Sequence, residues 1–427
     1  MANTSIARVL GRRVWDSRGW PTVEVHVELE GGARGRAIAP AGASTGTGEA
    51  VDLRDGGPRF GGLDVRRAVA SVNDIIAPAL QGQDALGQSQ VDGILIALDG
   101  TPNKSRLGGN ATIATSMAVL QAAAAAMQRP VWRHIGGGNG EVSIPLPEIQ
   151  IFGGGAHAAR RVDIQDFMVV CPQASSFAET LDWTAEVYRA AGLVLAEQGR
   201  RCGVADEGGH WPAFDTNQEA LEALVAAIER AGFTPGHEVA ISLDVAASQF
   251  GKGGRYRLAL DHRDLDCDGM IELLGRWLER YPIVSVEDPL AEDDPDGFRR
   301  FTEAYGQHVQ VVGDDFLVTN AGRVRDAAAS GACTAVLVKP NQAGTITETK
   351  AAVDAAKASG LDTIVSARSG ETEDVMIVHL AVGWNAGQFK VGSFTRSERM
   401  AKWNEMLRVE EELGAEARLA HPFAMRP

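Results

Sequence analysis

Six short apolar runs in the second half of the chain carry, at or beside their ends, side chains able to do chemistry. They are Asp244 in VAISLD, Glu287 in IVSVED, Asp314 in VQVVGDD, Lys339 in TAVLVK, Arg368 in TIVSAR and Lys390 in QFKVGS. Three carboxylates at successive strand ends would converge on one point, and their repulsion calls for a cation. Hard oxygen ligands without His or Cys favour Mg2+ over zinc. Each Asp alone reads as a helix N-cap; three in succession read as a metal site. Lys339 fits a salt bridge to the acidic cluster, or a base whose pKa is lowered by a nearby metal and other cations. Arg368 and Ser369 pair a forked cation with a hydroxyl, suited to phosphate or carboxylate, and Lys390 adds a second positive charge. VADEGG places Asp206 and Glu207 before two glycines. Glu207 is a candidate acid, and an acidic turn before a helix is the plainer alternative.

The elements that must position these groups follow from the spacing. The six positions lie 43, 27, 25, 29 and 22 residues apart. A strand, a helix and two loops occupy about that length, and continuous apolar strands suit a parallel sheet covered by helices. Polar ends on every strand predict an α/β barrel with its site at the strand C-termini. A doubly wound sheet, the alternative, would gather them near one switch point. The first third differs. TVEVHVELE alternates like a half-buried antiparallel strand, and GNATIATSMAVLQAAAAAMQ reads as a closely packed helix. Gly and Pro in GGGNGEVSIPLP mark a boundary between a domain over 1–135 and a barrel over 143–427. PAGASTGTGEA is a Gly/Ser/Thr loop suited to closing over a barrel mouth as a lid.

Composition sets limits. The 427 residues exceed one ordinary core, so at least two domains are expected. A net charge of −15 without a basic cluster argues against nucleic acid as a partner. No apolar run would span a bilayer. MANTSIARVL enters a strand-like pattern rather than a secretory signal. Cys171, Cys202, Cys267 and Cys333 form no CxxC pair and read as buried, reduced thiols, consistent with a cytoplasmic protein.

These residues lie within longer strings that closely resemble enolase, phosphopyruvate hydratase. The strings are DSRGWPTVEV, GASTG, LDGTPNKSRLGGNA, VDIQDFM, DEGG, LDVAAS, EDPLAEDD, GDDFLVTN, SGETED and RVEEELG, in one order along nearly the whole chain. The resemblance implies a small α+β amino-terminal domain and an enolase-type (β/α)8 barrel whose first strands depart from simple alternation. It implies Mg2+ held by Asp244, Glu287 and Asp314, with Ser44 of the lid reaching a second ion completed by substrate. Lys339 would match the base that removes the C2 proton of 2-phosphoglycerate. Glu207 would match the acid assisting loss of the C3 hydroxyl, with Asp166 on the same side. Arg368 and Ser369 would clamp phosphate. Lys390 and Gln165 would contact the substrate, and His157 would sit in a mobile loop beside it. A homodimer or assembly of dimers is implied as well.

The sequence also departs from the family pattern. Ala367 stands where His usually precedes Arg-Ser, and Asp166 where Glu is usual. PSGASTG reads PAGASTG, with Ala41; KVNQIG reads KPNQAG, with Pro340 and Ala343; NGGSHA reads GGGAHA; and Trp20 replaces Asn. One reading is an Mg2+-dependent dehydratase converting 2-phosphoglycerate to phosphoenolpyruvate. An alternative keeps proton abstraction but rebuilds the leaving-group and phosphate side for an analogue, such as the carboxyphosphono compounds of phosphonate natural-product pathways. A third is an inactive enolase-fold binding protein.

Overall fold

The computed structural model describes residues 3–136 and 142–423. The expected boundary between residues 135 and 143 falls mainly on residues outside these. The amino-terminal part is an antiparallel sheet in the order β1 (Ile6–Trp15), β2 (Pro21–Leu29), β3 (Arg34–Ile38). β2 is more buried than its alternation predicts, because neighbours cover its polar face: Arg12 and Arg36 reach Glu24 at 2.9 and 3.8 Å. The helix Gly109–Ala126 crosses this sheet. A Cβ on Gly35 would strike the backbone of Ala118 and Ala122. Small residues on both surfaces therefore let helix and sheet meet backbone to backbone, which accounts for the alanine run.

The rest closes into a barrel. Its eight strands are β4 (Leu146–Gly153), β5 (Asp166–Val170), β8 (Ala240–Asp244), β12 (Ile283–Glu287), β13 (Gln310–Gly313), β14 (Ala335–Val338), β15 (Asp362–Ser366) and β16 (Gln388–Ser393). β16 pairs with β4 to complete the ring. β5 runs antiparallel to both β4 and β8, and the remaining pairs are parallel. A hairpin of β6 (Arg201–Val204) and β7 (His210–Pro212) extends the sheet beside β4. A small sheet of β9 (Gly251–Lys252), β10 (Arg255–Leu258) and β11 (Arg263–Asp266) follows β8.

Helix capping frees the acids at the strand ends. The helices Cys267–Arg280, Pro295–Tyr305 and Ala321–Ser330 are capped by Asp266, Asp294 and Asn320. Asp244, Glu287 and Asp314 cap none of them and remain at the mouth. Of the cysteines, Cys171 and Cys333 are buried, whereas Cys202 is exposed on β6 and Cys267 half-buried, a correction to the uniformly buried set expected. Among the described residues, no helix is long and apolar enough to cross a membrane.

Candidate active site

Side chains from β8, β12, β13, β14 and β16 converge at the barrel mouth. Asp244 and Glu287 are register partners on adjacent strands, so both carboxylates project to the same depth. Lys390 Nζ bridges them at 2.7 Å each and lies 3.9 Å from Asp166 Oδ2. Burial alone would depress the Lys390 pKa, but these carboxylates outweigh it and hold the ammonium well above its ordinary value. Burial and the adjacent Asp244 charge push Glu287 well above the carboxylate range, and its Oε1 is buried without a hydrogen-bond partner.

Lys339 follows β14 and binds Asp314. Burial opposes its charge, yet Asp314 prevails and its pKa is raised. Arg368 and Lys390 act downward, but the direct carboxylate contact dominates. Asp314 also accepts from Gln342 Nε2 at 2.9 Å. Gln165 Nε2 donates to Asp244 Oδ2 at 2.8 Å.

On the opposite wall, Asp166 Oδ1 accepts from Gln150 Nε2 and lies 3.1 Å from His157 Nδ1. His157 Nε2 lies 3.7 Å from Glu207 Oε1. Burial opposes the imidazolium, but Glu207 and Asp166 raise its pKa to about 9, so it is charged at neutral pH. Asp166 Oδ2 has no hydrogen-bond partner. The shortened carboxylate thus keeps two close neighbours on one oxygen and only the more distant Lys390 ammonium on the other.

The loop 40–50 lies over this site. Ala41 and Gly370 exchange backbone hydrogen bonds at 2.9 and 2.8 Å, Ala43 N donates to Ser369 Oγ at 2.6 Å, and Ser44 Oγ donates to Asp315 at 3.2 Å. Arg368 donates to Glu49 Oε2 at 2.8 Å, Asn341 at 3.2 Å and the Ser44 carbonyl at 2.8 Å. Arg399, wholly buried, donates to the carbonyls of Arg368, Val391 and Ser369 and fixes the turn carrying Arg368 and Ser369. The cavity at the mouth has a free volume of ≈ 20 Å³, room for about one water. Ala367 lines it beside Ser366 and Val391. Trp20 does not; it stacks on Arg18 at 4.2 Å, and Pro340 opens a short helical turn.

The sequence-derived residues therefore meet at one mouth. Glu49 and Gln150 escaped notice, although each left a signal: Glu49 is the one charge in PAGASTGTGEA, and Gln150 is a polar residue inside apolar β4. Among the described residues, His157–Asp166–Glu207 and Asp288–Asp314–Asp315 have donor atoms all within 4.8 Å of one another. The Asp244–Glu287 pair is instead bridged by the Lys390 ammonium. A buried acid oxygen without a donor and an all-oxygen ligand set fit a hard divalent cation.

A closed barrel opened by an antiparallel pair, with an antiparallel sheet domain and an acid-and-lysine mouth, defines an enolase-type dehydratase. Residues 6–135 match the family model for the enolase N-terminal domain, and residues 141–425 match the enolase C-terminal TIM barrel domain. The chain is 47% identical over 421 residues to "Enolase 1" of Desulfitobacterium hafniense (strain Y51), covering 98% of this chain and 96% of that protein. The chain belongs to the enolase family.

Proposed function

We propose that the protein is an Mg2+-dependent hydro-lyase that converts 2-phosphoglycerate reversibly to phosphoenolpyruvate. The observation that carries this reading is the convergence of three carboxylates, two lysines and the Arg368–Ser369 pair at one mouth. Asp244, Glu287 and Asp314 would hold Mg2+, and Ser44 would reach a second ion. Bound Mg2+ would neutralise the charge that builds on the substrate carboxylate as C2 loses its proton. Lys339, once parted from Asp314 and having given its ammonium proton to solvent, takes that proton as a neutral amine; Glu207, protonated from solvent before the elimination, gives its proton to the departing C3 hydroxyl, and His157 holds Glu207 and Asp166 in place. Arg368 and Ser369 hold the phosphate, while Lys390 and Gln165 hold the carboxylate end. A homodimer and a cytoplasmic location belong to the same reading.

One observation favours a second substrate: the small Ala367 methyl lines the cavity directly beside the clamp. That would leave room for a phosphorus group bearing an extra carboxylate. The deciding measurement is phosphoenolpyruvate formation from 2-phosphoglycerate with Mg2+, followed by its ultraviolet absorbance beside an ordinary enolase. Comparable turnover is expected. Background turnover that Ala367→His raises would favour the analogue instead. Absence of any Mg2+-dependent thermal stabilisation would favour an inactive binding protein.

A further inference from the structure

The acid wall closes into a ring that no single residue explains. Starting at Asp166, it runs through His157 Nδ1 at 3.1 Å to Glu207, 3.7 Å from His157 Nε2. From Glu207 the chain continues two residues to Gly209, whose N–H donates to Gln150 Oε1 at 2.8 Å. The Gln150 amide then donates back to Asp166 Oδ1. The Gly209 donor settles which end of the amide faces which neighbour. Its oxygen must accept there, so its NH2 group must point at Asp166. Gly209 is required for this approach, since a Cβ would collide with the Gln150 oxygen. Gln150 and Asp166 are 1% and 0% exposed, so losing either partner leaves the other without bulk water to replace it.

We infer that Gln150 is a positioning residue for the elimination step: its amide sets the Asp166 carboxylate against His157 and ties that pair to the turn bearing Glu207. This rests on the reading of Glu207 as the acid. The reach of the contact is shared between a long amide and a short carboxylate. Moving one methylene from the first to the second shifts the meeting point by about 1.5 Å without changing the total span. Gln150→Asn therefore opens a gap, Asp166→Glu makes a clash, and the two together restore the ring with its hydrogen bonds.

The test uses the whole chain carrying Gln150→Asn, Asp166→Glu or both. With 2-phosphoglycerate, each single change should lower kcat by about 10- to 100-fold with KM changed less than about 3-fold. Solvent hydrogen exchange at C2 should persist, because the Lys339 side is untouched. The double variant should recover kcat to within about 3-fold of the parent. Singles that simply multiply in the double variant, or a silent Gln150→Asn, would overturn the inference. A second readout needs no substrate: the imidazole N–H signal of His157 in proton–nitrogen NMR, assigned with His157→Gln. It should be protected in the parent and the double variant and lost in both singles. If the parent fails to turn over 2-phosphoglycerate, the proposed activity falls while the ring is still judged by this signal. An imidazole signal indifferent to Gln150→Asn would refute the ring.

Discussion

At the scale of single residues, the site is a set of charges that burial would neutralise were they not matched. His157 is the clearest case, because its pKa is raised to about 9 although burial acts against its charge. The sign of the consequence follows by linkage. A histidine whose folded pKa exceeds its unfolded value of about 6.5 stabilises the fold fully below that value. That contribution, on the order of 3 kcal/mol, is lost as pH rises through about 9. Urea unfolding at pH 6, 7.5 and 9.5 should therefore show the parent losing stability relative to His157→Gln as pH rises. Parallel curves would refute the charged imidazole. Asp166 stands where the family usually has Glu, so its carboxylate is set back by one methylene. The partner that reaches it, Gln150, lies 16 residues away on another strand, and no local pattern links the two.

At the scale of elements, the barrel strands were legible because each is a short apolar run ending in a polar residue. All six proposed ends fall on or just beyond a parallel strand. The antiparallel β5 was not legible from pattern, since period and hydrophobicity are the same in either direction; the family resemblance alone suggested it. The loop 40–50 was legible as a Gly/Ser/Thr segment over the mouth, but its contact with Arg368 was not. Its Glu49 accepts from Arg368 at 2.8 Å and from Gly46 N at 2.8 Å, so the loop and the Arg368 guanidinium share one carboxylate. With room for about one water inside, an anion larger than water would reach Arg368, on the proposed reading, only as this loop opens and Glu49 leaves it. A buried charged hydrogen bond contributes about 1.5–3 kcal/mol. Glu49→Gln should thus speed proteolytic cleavage within residues 40–50 by about 10-fold or more in the absence of ligand. It should also tighten inorganic phosphate binding, by removing a competing anion. Unchanged cleavage would mean that the backbone bridges, not Glu49, hold the loop.

At the scale of the whole molecule, the barrel interior is polar for some depth below the mouth. Glu148 of β4 accepts from Ser242 Oγ at 3.0 Å and from Gln388 Nε2. Gln310 donates to Gln388 at 2.6 Å and to Asp362 at 3.0 Å, and accepts from Ser285 at 3.1 Å. This network joins β4, β8, β12, β13, β15 and β16 across the axis, where a barrel more often packs branched apolar side chains. Glu148 is its weak point. Burial pushes its pKa up, only partly offset by Lys390, Ser242 and Gln388. A carboxyl with a raised folded pKa supports the fold at low pH, where it is protonated in both states. That support is lost as pH climbs past the unfolded value of about 4.3 and the buried form must ionise. An amide of the same shape keeps an acceptor for Gln388 and never ionises, while the Ser242 hydroxyl can turn to accept from it. Glu148→Gln should therefore be more stable than the parent at pH 8, by about 1–3 kcal/mol. The difference should shrink steadily towards pH 4.5. Thermal melts of both proteins across that range decide the matter: a variant less stable at pH 8, or a difference independent of pH, would mean that Lys390 keeps Glu148 ionised and that the barrel axis is held by a buried ion pair rather than by a neutral hydrogen-bonded plug.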